Sequence, residues 1–166
     1  MYGMPTIADA TQASQTAPML RRTSSLGYQI NHLARLLEAA LRMRIAPHGV
    51  APGQFAQLLA LYEQDGVSQS ELCRVVQIDQ STMALTLRRM ERDGLVSRQP
   101  SQQDRRQMEI WLTDRARDLE ATLVASAHET NALATAGVSE ADLATTKRVI
   151  ARMVDNMAAH AQGANQ

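Results

Sequence analysis

Aromatic residues and cysteines are scarce in this chain. Phenylalanine, tyrosine and tryptophan make up 3% of its 166 residues, although hydrophobic residues make up 45%. An apolar composition with so few aromatics favours packed helices over a β-sandwich. The single cysteine, Cys73, cannot form an intrachain disulfide, and the four histidines are too scattered to predict a metal site.

The chain also lacks a net charge, a long apolar run and a catalytic motif. Its 17 basic and 17 acidic residues balance, which argues against a protein that coats nucleic acid with its whole surface. No apolar run reaches transmembrane length and no signal-peptide pattern is present, so we expect a cytoplasmic protein with no membrane partner. No phosphate loop, nucleophile and base, or carboxylate pair is visible, so we predict no enzyme, no catalytic residues and no cofactor.

The most specific pattern lies in residues 79–112. Met83, Leu87 and Met90 recur at helical spacing, which predicts a helix with one buried face. Asp79 is the predicted N-cap and Gly94 the predicted stop. The exposed side carries small, polar and cationic candidates for DNA contact: Gln80, Ser81, Thr82, Ala84 and Arg88. A helix of this kind fits the major groove of DNA.

After Gly94 the spacing of the apolar residues changes from the helical period to every second residue. The alternation in Met108–Leu112 predicts a half-buried strand, with Leu95–Gln99 as its partner. Between Arg88 and Arg106, six arginines stand against three acidic residues. This local excess of positive charge is expected at a phosphate-binding surface.

Helical segments flank this region. A stripe in residues 19–46 predicts a long first helix, and Pro52 begins a second. Ser68 and Glu71 form a predicted capping box that begins a short helix, which ends at Val75 or Val76. This short helix and the helix after Asp79 together make a helix-turn-helix. Thr113 and Ser139 are predicted caps of two further helices.

These elements predict a mainly α fold with a small two- to three-stranded β-wing. The winged helix-turn-helix occupies residues 51–112, between an N-terminal dimerisation helix at 19–50 and C-terminal dimerisation helices at 113–162. Residues 1–18 and 163–166 are predicted to be disordered, because they carry too little apolar surface to fold.

The chain resembles the MarR family of bacterial transcriptional regulators. The matching stretches are PGQFAQLLAL, SQSELCRVVQIDQSTMALTLRRMERDGLV and DRRQMEIWLT. The resemblance implies a homodimer that binds the two halves of a palindromic double-stranded operator, and usually repression that a small ligand or oxidation relieves. It also implies that Gln80–Arg92 is the recognition helix, that Arg106 of the wing enters the minor groove and that Asp104 orients it. Arg105 would add attraction to phosphate.

The chain departs from the family pattern at two places, and both affect the roles that the resemblance implies for its residues. Members often have a glycine where Gln77 stands, so a slightly different turn is expected here. Many also have serine or threonine followed by arginine where this chain has Ala84 and Leu85, which removes base-edge hydrogen bonds. Because the methyl group of Ala84 can contact a thymine methyl group, we predict a half-site tolerant of A·T pairs, read mainly by Gln80, Ser81 and Arg88.

Two further groups of residues leave alternatives open. Tyr28, His32 and Arg35 lie on adjacent turns and could bind an aromatic anion together with Phe55 and Tyr62, as the family resemblance implies, or could instead make interhelical or dimer contacts. Cys73 is either a redox-active thiol or, as its position on the short helix favours, a buried structural one.

The sequence thus predicts a ligand-responsive, homodimeric DNA-binding repressor, released by a small aromatic effector. The alternatives are a redox-sensing regulator that acts through Cys73 and a winged helix that docks onto another protein.

Overall fold

Six α-helices and three short strands make up the described part of the chain. The structure is a computed structural model that describes residues 21–102 and 107–163, with side chains as far as residue 160. In chain order the elements are α1 (Leu26–Ile45), α2 (Pro52–Glu63), β1 (Val67–Ser68), α3 (Gln69–Val76), α4 (Gln80–Arg92), β2 (Val96–Pro100), β3 (Met108–Leu112), α5 (Asp114–Ala134) and α6 (Glu140–Gly163). The predicted disordered segment 1–18, and residues 164–166 of the predicted disordered segment 163–166, lie outside the described residues.

The chain divides into two compact units, Met1–Arg35 and Leu36–Gln166. In the described part of the first unit, a 3-10 turn at Arg22–Ser24 precedes α1, and the Ser25 hydroxyl accepts from the Tyr28 N–H. The first helix therefore begins at Leu26, later than predicted. At the other end of the chain α6 reaches Gly163, one residue beyond the predicted boundary.

One hydrophobic core joins the elements of the second unit. The largest fully buried side chains come from the end of α1, from α2, α3, α4, β3 and α5, and from the residue before β2: Ile45, Leu58, Leu61, Leu72, Met83, Leu87, Met90, Leu95, Ile110 and Leu123. Because Met83, Leu87 and Met90 of α4 belong to this core, the helix is fixed to the rest of the unit by close packing. Among the described residues no helix is both long enough and apolar enough to cross a membrane.

The three strands form an antiparallel sheet in the order β1-β3-β2. Val67 pairs with Ile110, and Val96 pairs with Leu112. The predicted strand Met108–Leu112 is confirmed, whereas its partner is Val96–Pro100, one residue later than predicted. The mainly α fold with a small β-wing is confirmed, with three strands in the described residues.

Side-chain caps begin five of the six described helices: Ser25 caps α1, and the other four caps are those that the sequence predicts. Ser68, Asp79, Thr113 and Ser139 each accept from a backbone N–H three residues later, which satisfies donors that have no partner within the helix. The capping box is wrong in its second half, because the Glu71 carboxylate lies 4.0 Å from the Arg74 guanidinium instead.

Candidate nucleic-acid interface

The helix α4 presents one buried face and one exposed face, and its limits are those predicted. Met83, Leu87 and Met90 are completely buried and attach the helix to the core. Ser81, Thr82, Leu85, Arg88, Arg89 and Arg92 are exposed, whereas Ala84 is half-buried. The face that points away from the core is therefore the one on which the sequence places its DNA contacts.

Asp79 organises the first turn of α4. Its carboxylate accepts from the Thr82 N–H at 2.9 Å and from the Thr82 hydroxyl at 2.6 Å, and also from the Ser81 hydroxyl. Hydrogen bonds from Ser81 and then Thr82 hold the pKa of Asp79 well below its usual value. A hydroxyl has a single proton, so both hydroxyls can only accept from a further partner while these bonds last.

The side chain of Gln80 connects α4 to α3. Its amide oxygen accepts from Gln69 at 2.9 Å, and its amide nitrogen donates to the Ser70 hydroxyl at 3.3 Å. One N–H and one oxygen lone pair remain for another partner. The two helices of the helix-turn-helix are thus held together at the end where α4 begins.

The arginines of α4 and β2 differ in what surrounds them. Arg92 donates to Asp93 at 3.0 Å, and the Nε of Arg98 lies 3.2 Å from a Glu91 carboxylate oxygen. Arg88 and Arg89 are exposed and have no hydrogen bond or ion pair with any described residue. These two therefore supply uncompensated positive charge on the exposed face.

The turn between α3 and α4 passes through the left-handed region of backbone conformation. Gln77 has φ +58° and ψ +45°, and within the described ranges it is the one residue other than glycine with positive φ. The Ile78 N–H bonds to the Cys73 carbonyl, which is the pattern of a helix closed by a left-handed residue. Gln77 therefore adopts the conformation that a glycine adopts most easily, and the expectation of a slightly different turn stays a prediction.

A polar cluster that no sequence pattern indicated holds the opposite end of α4. Gln54 is only 3% exposed, and its amide nitrogen donates to the Asp93 carboxylate at 2.7 Å. The guanidinium of Arg115 donates to the backbone carbonyls of Asp93, at 2.9 Å, and of His48, at 2.6 Å. Hydrogen bonds from Arg92 and then Gln54 hold the pKa of Asp93 below its usual value. The cluster joins α2, α4, α5 and the segment after α1. Its members lie far apart in the sequence, so the spacing of residues could not predict their contacts.

The predicted wing residues Asp104, Arg105 and Arg106 lie outside the described residues. On either side of them, the Ser101 N–H donates to the Gln107 carbonyl at 2.9 Å. This bond closes the ribbon directly beyond the Pro100–Met108 pair. Their DNA contacts stay a prediction.

The residues predicted to bind a ligand are divided between the two units of the chain. In the first unit, the Tyr28 and His32 rings stack with centroids 6.0 Å apart, and Arg35 is exposed. In the second unit, the Tyr62 hydroxyl donates to the Ala116 carbonyl at 2.8 Å; burial and then the charge of Glu120 raise the pKa of Tyr62 to about 12. Its phenol is therefore neutral at physiological pH.

Phe55 contributes to a cavity of about 300 Å³ in the second unit. The lining residues are Leu37, Glu38, Leu41, Pro52, Phe55, Leu59, Ala127, Thr130 and Asn131. The walls are mostly apolar, and no residue in that lining carries a positive charge. The Thr130 hydroxyl already donates to the Ser126 carbonyl. Such a cavity suits an apolar ring better than an anion.

Cys73 is buried, with 8% of its surface exposed. Burial, and then the nearby charge of Asp79, raise the pKa of its thiol, which disfavours the reactive thiolate. The prediction of a buried thiol is confirmed. Its chemistry with oxidants stays a prediction.

Comparison with known proteins gives a consistent result. Residues 50–108 match the model of the MarR family. The fold is similar to that of a MarR transcriptional regulator from Methanosarcina mazei Go1, with 28% identity, a TM-score of 0.71 and coverage of 78% of this chain and 94% of that one. It is also similar to a MarR-family regulator from Listeria monocytogenes in complex with 26mer DNA (22% identity, TM-score 0.74, coverage 81% and 89%). A third similar structure is BpsR of Bordetella bronchiseptica, whose DNA binding is regulated by 6-hydroxynicotinic acid (21% identity, TM-score 0.75, coverage 82% and 98%).

Proposed function

We propose that this chain, which belongs to the MarR family of transcriptional regulators, is a homodimeric repressor that binds a palindromic operator and is released by a small effector. The observation that carries the proposal is the exposed face of α4. Met83, Leu87 and Met90 fix the helix to the core, and Arg88 and Arg89 extend from the other side without a described partner. A helix held in this way can place cations against phosphates and base edges.

The proposed complex has two reading heads, which are the winged helix-turn-helix regions (residues 51–112) of the two subunits. They are separated by about 34 Å, one turn of B-DNA. Each α4 lies in the major groove, with contacts from Gln80, Ser81, Thr82, Ala84 and Arg88. Arg106 of each wing enters the adjacent minor groove, oriented by Asp104, while Arg105 approaches phosphate. A protein of similar fold from Listeria monocytogenes forms a complex with 26mer DNA, which supports DNA as the partner.

Dimerisation is supported by apolar surface on the terminal helices. On α6, four apolar side chains recur at intervals of one, four and three residues and are 42% to 67% exposed: Val149, Ile150, Val154 and Met157. On α1, Leu26, Ile30 and Leu33 are 47% to 55% exposed. Contiguous apolar faces of this kind mark association surfaces, and a second copy of the chain supplies matching ones.

Sedimentation tests the dimer. Val154→Glu introduces a charge on the apolar face of α6 and is expected to shift the protein toward monomer. Val75→Glu makes the same change at a similarly exposed site on α3 (50% against 46%) and is expected to leave the dimer intact. A wild-type protein that sediments as a monomer at micromolar concentration contradicts the proposal.

We assign the effector to the cavity that includes Phe55. Its volume of about 300 Å³ suits a single ring, and its apolar walls favour a ligand without a free carboxylate. Phe55 follows Gln54, which donates to Asp93 at the end of α4, so a ligand that displaces α2 also acts on the reading head. Tyr28, His32 and Arg35 remain candidate contacts. Isothermal titration with neutral aromatics and aromatic acids tests the assignment: binding abolished by Phe55→Ala supports it, whereas unaffected binding opposes it.

DNA binding is tested by fluorescence anisotropy over a range of salt concentrations. Wild-type affinity is expected to fall steeply as the salt concentration rises. Arg88→Gln, present in both subunits of the dimer, is expected to reduce the slope of log affinity against log salt concentration by about two. Arg148→Gln removes the same charge from α6 and serves as the control. A flat salt dependence contradicts DNA binding and favours a winged helix that docks onto protein.

A further inference from the structure

Leu85 is an exposed leucine at the centre of the outward face of α4. It is 52% exposed and lies two residues after Met83 and two before Leu87, both completely buried. At roughly 100° per residue it is about 200° around the helix from Met83. Leu85 therefore points almost directly away from the core.

The groups beside Leu85 limit what this part of the face can recognise. Ser81, one turn earlier, has its hydroxyl proton engaged by Asp79, and so does Thr82. Neither can donate to a guanine edge without losing that bond. Arg88, on the following turn, is unpaired among the described residues. The centre of the face is thus apolar, with a free cation on one side and occupied hydroxyls on the other.

In the major groove, an apolar side chain has one apolar group to contact on the base edges, the 5-methyl group of thymine. The major-groove edges of guanine, adenine and cytosine carry no methyl group and present mainly hydrogen-bond donors and acceptors. Covering those polar edges with a leucine removes water without replacing its hydrogen bonds. On this basis we propose that Leu85 selects thymine at one position of each half-site by packing against that methyl group.

This inference rests on the proposed binding of DNA, and its test separates the two. An operator is first selected from random duplexes with the wild-type protein, and each thymine of a half-site is then replaced by deoxyuridine, which lacks only the methyl group. At one position the replacement is expected to weaken wild-type binding about four-fold, the value of one buried carbon group. Replacement in both half-sites is expected to multiply the two effects.

Leu85→Ala is expected to bind the thymine and uracil duplexes equally at that position. Leu85→Met, which keeps an apolar side chain of similar volume, is expected to retain the discrimination, and so is Val75→Ala, which shortens an equally exposed residue on α3. The inference is overturned if the selected half-site contains no thymine, if the wild type tolerates uracil at every position, or if Leu85→Ala still discriminates. In each of these cases specific, salt-dependent binding by the wild type leaves the proposed function standing.

Discussion

Replacing Gln77 by glycine is expected to stabilise the protein. A residue with a Cβ in the left-handed region is strained by roughly 1–2 kcal/mol, and Gln77 has φ +58°. Glycine removes that strain but increases the entropy of the unfolded chain by about 0.4–1 kcal/mol. The net gain in the free energy of unfolding is therefore centred on about 0.8 kcal/mol, from the difference between the midpoints of the two ranges.

Gln64 offers a matched control for this substitution. It is also exposed, and it also follows a helix with its N–H bonded to the carbonyl four residues earlier, but it has φ −149°. Gln64→Gly relieves no strain and is expected to cost about 0.5–1 kcal/mol. Urea denaturation followed by circular dichroism, at one fixed protein concentration because a dimer is expected, measures both variants. If Gln77→Gly is no more stable than the wild type, or if both substitutions change stability in the same direction, the strain argument is refuted.

Three further predictions concern a carboxylate, a thiol and a glycine. The lowered pKa of Asp79 adds stability that is present above the unfolded value of about 4 and lost as the pH falls through the folded value. Asp79→Asn should therefore give a shallower loss of stability in urea titrations below pH 4. The buried Cys73 thiol, with its raised pKa, should react with a thiol reagent far more slowly in the native protein than in urea, and fast native labelling would contradict this. Gly66→Ala should destabilise more than Gly94→Ala in thermal melts, because both have positive φ but only at Gly66 would the new Cβ overlap the Trp111 ring; equal losses would argue against that overlap.

The sequence predicted the local features of this fold well. A cap is decided by a few neighbouring residues, so Asp79 and Thr113 could be recognised without knowledge of the fold. The limits of α4 followed from Asp79 and Gly94, and β3 followed from its alternation. A third strand was allowed for, but its position was not predicted, because Val67 and Ser68 are too few to show a period.

The side-chain contacts within the candidate site could not be predicted from the sequence. Nothing in the sequence indicates that Asp79 engages the hydroxyls of Ser81 and Thr82 as well as a backbone N–H. The pairing of Gln54 with Asp93 spans 39 residues, and Arg115 reaches His48 across 67. Such pairs depend on how the helices pack, which periodicity does not specify.

The guanidinium of Arg115 links the segment after α1 to the end of α4. A single planar group holds the carbonyls of His48 and Asp93, so the segment after α1 and the end of α4 cannot shift independently while both bonds persist. A Cβ at Gly49 would lie 2.8 Å from that group and would push against it. Mutations that retune DNA preference are therefore expected at Gly49, a residue on no DNA-facing helix, as well as along α4 itself.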